Sequence, residues 1–128
     1  TSATLAYLRL LKRYKAQDCL PSTSVATIAA GAAAGSSPTV AVTGDAFSGS
    51  ISVTTGTSAT TGTLATVTLK ITAPTGTRIS LTPTNANATL HFLRVYAAGT
   101  TTTLVITVPT TALADATAYT YNYTVVPY

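Results

Sequence analysis

Thr63-Leu-Ala-Thr-Val-Thr-Leu-Lys-Ile-Thr72 decides the fold. Ala65, Val67, Leu69 and Ile71 alternate with Thr66, Thr68, Lys70 and Thr72. As a strand, this stretch puts four apolar side chains on one face and four polar ones on the other. The same period of two recurs on both sides of it. From Pro38 onward it predicts strands at Thr39–Thr43, Gly49–Thr54, Thr63–Thr72, Arg78–Thr82, Leu90–Ala97, Thr102–Val108 and Thr117–Val126. Turn-forming clusters separate them: Thr43-Gly44-Asp45, Thr55-Gly56, Thr61-Gly62, Pro74-Thr75-Gly76, Pro83–Asn87 and Ala98-Gly99. A short helical turn near Ala112–Ala116 is the one exception expected. The pattern is mainly β: an antiparallel β-sandwich or jelly-roll-like domain.

Composition agrees. The 128 residues suit one domain with a real core. Thr occurs 30 times, and its branched Cβ favours a pleated, half-buried surface. Only 8% of residues are charged, against about 25% in ordinary soluble domains. Hydroxyls must therefore solvate most of the outer faces. Such a surface suits cover by neighbouring subunits or dense packing in an assembly.

The charge is unevenly placed. Arg9, Lys12, Arg13 and Lys15 supply four of the seven basic residues. The rest of the chain is near neutral, with Lys70, Arg78 and Arg94 against Asp18, Asp45 and Asp115. Thr1–Ala16 reads as a short amphipathic helix, with Tyr7, Leu8, Leu10, Leu11 and Tyr14 on one side and Arg9, Lys12 and Arg13 on the other. Ser2 or Thr4 could cap it, and Leu20-Pro21 ends it. The low-complexity tract Thr23–Ser37 is the expected flexible linker. The division expected is thus an anchoring helix and linker over 1–37 and a β body over 38–128. The expected partner contacts of this arm are Leu5, Tyr7, Leu8, Arg9, Leu11, Lys12, Arg13, Tyr14 and Lys15.

Several classes find no support. Cys19 is single and cannot form an intrachain disulfide, so no oxidising compartment is implied. No segment has the roughly 20 apolar residues of a membrane span, and the Ala-rich run Val25–Ala34 is too short. The arm lacks the apolar region and cleavage site of a signal peptide. A start at Thr1 fits removal of an initiator Met and suggests a complete small protein. One His, one Cys and three Asp do not make a metal site at any recognised spacing. Asp45 and Asp115 sit beside turns, where backbone hydrogen bonding is the expected role. His91 reads as a half-buried structural residue of an apolar strand. No G-x-S-x-G elbow occurs, and Gly31–Gly35 lacks the Lys of a phosphate loop. Asn87-Ala88-Thr89 and Asn122-Tyr123-Thr124 match the glycosylation sequon as chance matches. The expectation is a protein that is not an enzyme, with no cofactor and no metal.

In the last strand Tyr119, Tyr121, Tyr123 and Val125 share a face. Two readings stay open for the tyrosines: a sugar-stacking face, or a cross-strand packing ladder or subunit seam.

The block Gly49–Leu69 (GSISVTTGTSATTGTLATVTL) resembles a segment of tailed-phage head-decoration and fibre proteins. In those proteins a Pro-flanked strand, an Asn/Ala-rich loop and a closing aromatic strand follow. Here Arg78–Ala88 and Thr117–Val126 stand in those places. The resemblance runs from about Asp45 to the C-terminus and implies a compact β domain, commonly trimeric, displayed on a virion. It carries over no catalytic or ligand residue. The short arm departs from the long shaft of a tail fibre and favours a small capsid-bound part.

The leading expectation is a capsid decoration (cement or head-fibre) protein at the virion surface. Its arm would dock on the major capsid protein and its body would form a trimeric knob. Five buried apolar side chains contribute on the order of 10 kcal/mol. Ordering some fifteen residues costs a comparable amount. One arm is therefore marginal, and several arms on one knob gain by effective concentration. The alternative is a receptor-binding head domain of a tail fibre, gripping host-surface saccharide through the tyrosine face or the Pro83–Asn87 loop. A secreted or pilus-type adhesin ranks lower, as do an arm on packaged nucleic acid and an arm on a membrane surface.

Overall fold

The computed structural model describes residues 26–128. Eight strands form the body: β1 (Thr27–Ala30), β2 (Thr39–Gly44), β3 (Ser48–Thr54), β4 (Gly62–Thr68), β5 (Thr77–Pro83), β6 (Tyr96–Gly99), β7 (Thr103–Val108) and β8 (Ala118–Pro127). They build two four-stranded antiparallel sheets, β1-β4-β7-β6 (sheet I) and β2-β3-β8-β5 (sheet II). This is the expected mainly-β antiparallel sandwich. Only β2–β3 and β6–β7 are neighbours both in sequence and within one sheet; every other connection crosses between the sheets. The last strand of the chain, β8, is thereby central, held between β3 and β5.

Alternation fills the space between the sheets. Sheet I turns Leu64, Val67, Leu104 and Ile106 inward, and sheet II turns Ile51, Val53 and the β8 tyrosines inward; all are buried. A register shift between Thr63 and Ala65 lets Leu64 and Ala65 both be buried. The sequence reading extended this strand to Thr72, but β4 stops at Thr68. Lys70 takes a left-handed conformation (φ 59°), which breaks the ladder after Leu69.

Three further expectations are corrected. The tract 26–37 is part of the sandwich, so the 37/38 boundary falls within the folded body. Ala26 is buried, β1 pairs with β4 from Thr27↔Thr68 to Ala30↔Ala65, and Ala33 and Ala34 of a 3-10 turn (η1, Ala32–Ala34) are fully buried. Small uncharged side chains pack closely enough to serve as core, so low complexity here is not flexibility. The strand expected at Leu90–Ala97 is instead a short helix α1 (Ala86–Leu90), a 3-10 turn η2 (Phe92–Arg94) and then β6. The helical turn expected near Ala112–Ala116 is an irregular loop.

The sandwich has two distinct poles. At one lie the segments 69–76 and 99–102, Tyr128, and the point where the described chain begins, at Ala26. Gly99 lets the two sheets close together here, since a Cβ on it would run into Thr77. Thr77 Oγ1 donates to Thr100 O at 2.9 Å across the same seam. At the other pole lie the loops 31–37, 55–61, 84–95 and 109–117, stitched by Gly56 N→Ala34 O, Thr60 N→Ala33 O and Ala116 N→Gly56 O. We refer to these as the entry pole and the crest pole.

Candidate functional site

The expected arm contacts, Leu5 to Lys15, lie outside the described residues. The three tyrosines do not. Tyr119, Tyr121 and Tyr123 are 0%, 0% and 2% exposed, packed between the two sheets of one chain. A face so placed touches neither glycan nor second subunit, and both of those readings are corrected. The packing-ladder reading remains. The physical reason is topological: β8 ends the chain but lies mid-sheet, so its apolar-bodied face is the core face.

Their hydroxyls show how the core is closed. Tyr119 Oη accepts from Ala114 N at 3.1 Å, tying down the 109–117 loop. Tyr123 Oη donates to Asp45 O at 2.6 Å, tying down the β2–β3 turn. Tyr121 Oη is buried with no hydrogen-bond partner among the described residues. Burial, reinforced by Tyr119, pushes the Tyr121 phenol up to about 12 from its ordinary 10.0. Burial and the nearby Asp45 carboxylate push Tyr123 up to about 12 as well. Both stay protonated at neutral pH and offer no phenolate for chemistry.

The described carboxylates bind backbone amides. Asp45 Oδ1 accepts from Phe47 N (2.8 Å) and Ser48 N (3.0 Å) within its own turn. Asp115 reaches further, accepting from Ser58 N (3.0 Å) and Ala59 N (2.8 Å), so it joins two crest-pole loops. His91 ends α1, its Nδ1 3.1 Å from Asn87 O and its ring edge-on to Tyr119 at 5.8 Å between centroids. It is a packing residue of a helix end rather than of a strand. No group of three or more potential metal ligands occurs among the described residues.

Among the described residues the exposed large apolar side chains fall at both poles, Val126 and Tyr128 at the entry pole and Leu90, Leu93 and Tyr96 at the crest pole. Asn85 caps α1, accepting from Ala88 N at 2.8 Å while its Nδ2 donates to Ala118 O at 3.0 Å. Ala88 is fully buried, and Phe92 and Val95 pack against the core. With those residues facing inward, their neighbours face out: Leu93 is 100% exposed, Leu90 77% and Tyr96 52%. Arg94 turns back toward Ala112 O, at 3.5 Å. The apolar run Leu90–Ala97 predicts a strand, which hides this crest in the sequence. The signal that could have revealed it is Thr84-Asn85 before Ala86-Asn87-Ala88, a capping residue ahead of helix formers.

Outward side chains differ between the two sheets. Sheet I carries the rows Thr63–Thr107–Tyr96, Ala29–Thr66–Val105–Ala98 and Thr27–Thr68–Thr103, with no charge. Sheet II carries Thr43–Ser50–Asn122–Thr82 and Ala41–Ser52–Thr120, with Arg78 toward the entry pole. Its polar groups bond to one another, Ser50 Oγ to Asn122 Oδ1 (3.0 Å) and Thr84 Oγ1 to Thr120 Oγ1 (2.8 Å).

No family model, curated protein or solved structure matches this chain.

Proposed function

We propose that this protein is a non-enzymatic capsid decoration protein, held on the major capsid protein by its N-terminal segment and displaying an oligomeric β knob at the virion surface. The observation that carries this reading is the polarity of the sandwich. The chain enters at Ala26 on one pole, and the exposed crest of Leu90, Leu93 and Tyr96 lies at the other. A tether at the entry pole leaves the crest pole free. The body's own cations divide the same way, with Lys70 and Arg78 at the entry pole and Arg94 on the crest. Arg78 stacks over the Tyr128 ring, 4.8 Å from its centroid, and so keeps a fixed cation at the entry pole, on the sandwich edge opposite β1. The four basic residues within 1–15 lead into that pole and complement an acidic shell surface.

Co-sedimentation with empty shells of the major capsid protein tests the proposal. The full chain pellets with the shells, and a chain lacking residues 1–16 stays in the supernatant while keeping its β-type circular dichroism. Undiminished binding by the shortened chain rejects the proposal.

The tail-fibre alternative now rests on the Pro83–Asn87 loop, which lies at the crest pole. Two of its donors are engaged, since Asn85 Nδ2 and Asn87 Nδ2 both donate to Ala118 O. Reproducible binding of the full chain on a glycan array would favour that alternative.

A further inference from the structure

We infer that copies of this chain associate through the outer face of sheet I together with the adjoining crest. The inference rests on the oligomeric part of the proposed function and assigns it a surface. Three observations select this face. Its ten outward positions along β1, β4, β6 and β7 carry no charge, so two copies meet without like-charge repulsion. Four of those positions (Ala29, Val105, Ala98 and Tyr96) are apolar, and Leu93, the most exposed large apolar residue described, lies three residues before Tyr96. The opposite face differs in charge: Arg78 lies on it beside its exposed Val126, and its Ser, Thr and Asn side chains bond to one another.

Area identifies the occupant as a second copy. One fully exposed leucine, one mostly exposed leucine and a half-exposed tyrosine amount to about 400 Å². A stable protein interface takes about 800 Å² from each partner, so the crest alone falls short. Four strands spaced about 4.8 Å apart, added to the crest, reach that range. Tyr96 joins the two parts, being both the last residue of the crest and the end of the Thr63–Thr107–Tyr96 row. The face is made mostly of Thr and Ala side chains in regular antiparallel rows. It therefore fits a surface with the same repeat, which is what another copy presents. Among the described residues the cation of the crest is Arg94, whose guanidinium donates to Ala112 O.

Sedimentation velocity of the full chain, without shells, tests this separately from capsid attachment. The wild-type chain sediments as an oligomer. Leu93→Asp, at a position with no packing role, and Val105→Asp, mid-face, both fall to monomer mass. Ser52→Asp, on the outer face of sheet II, keeps the oligomer. Circular dichroism matching wild type shows that each variant is folded, and Leu93→Asp alone decides the question if Val105→Asp does not fold. A wild-type monomer at every concentration overturns the inference, as does an oligomer that survives Leu93→Asp or one that Ser52→Asp also dissolves. Shell binding by a protein that is monomeric in solution would sink this inference and leave the decoration reading intact.

Discussion

The three β8 tyrosines share a strand face but differ at their hydroxyls, and the difference has consequences for stability. Tyr123 Oη and Tyr119 Oη each hold a loop, whereas Tyr121 Oη is buried without a partner among the described residues. A buried polar group without a partner costs free energy, and one with a partner contributes about 1 kcal/mol. Tyr123→Phe should therefore lower the unfolding free energy by about 1 kcal/mol. Tyr121→Phe should leave it unchanged or raise it. Urea unfolding of the two variants checks this, and equal losses would mean that the Tyr121 hydroxyl is bonded after all. The same residues set an alkaline limit. The unfolded chain releases phenolic protons near 10.0, while folded Tyr121 and Tyr123 hold theirs to about 12. Their contribution is complete below pH 10 and declines as pH rises toward 12, because the unfolded state then binds fewer protons. Melting temperatures followed through that window should fall, and less steeply in the Tyr121→Phe, Tyr123→Phe double variant. The shared face was legible from the period of two in the sequence. Its direction was not, because a strand's place in the chain does not give its place in the sheet.

At the scale of elements, strands with clean alternation were readable to within a residue or two, as in β2, β3, β5 and β7. Two segments misled. In Leu90–Ala97 an apolar run predicts a strand. The Asn85 cap and the burial of Ala88 instead wind the chain into α1, and the leucines are left outside. In Thr23–Ser37, alanine content predicts a linker, although Ala26, Ala33 and Ala34 are core and β1 pairs with β4. The cap can be tested directly. Asn85→Ala removes the bond to Ala88 N and the donor to Ala118 O, and should cost about 1 kcal/mol. Differential scanning calorimetry reads the loss. An unchanged melting temperature would mean that α1 is held by Ala88, Phe92 and Val95 alone.

For the whole molecule, the sandwich architecture could be anticipated from composition and period, but the arrangement of its poles could not. Which loops gather at which end depends on the crossovers between sheets, and only two of the seven connections are local hairpins. That connectivity also bears on the birth of the protein. β8 brings Tyr119, Tyr121 and Tyr123, among the largest fully buried side chains, into the centre of sheet II. A nascent chain that has not yet delivered residues 118–127 leaves β3 and β5 without their shared partner and the interior unfilled. Cooperative folding must therefore wait until nearly all of the body has left the ribosome. During that interval the exposed strands depend on their own threonines and on cellular chaperones to avoid aggregation.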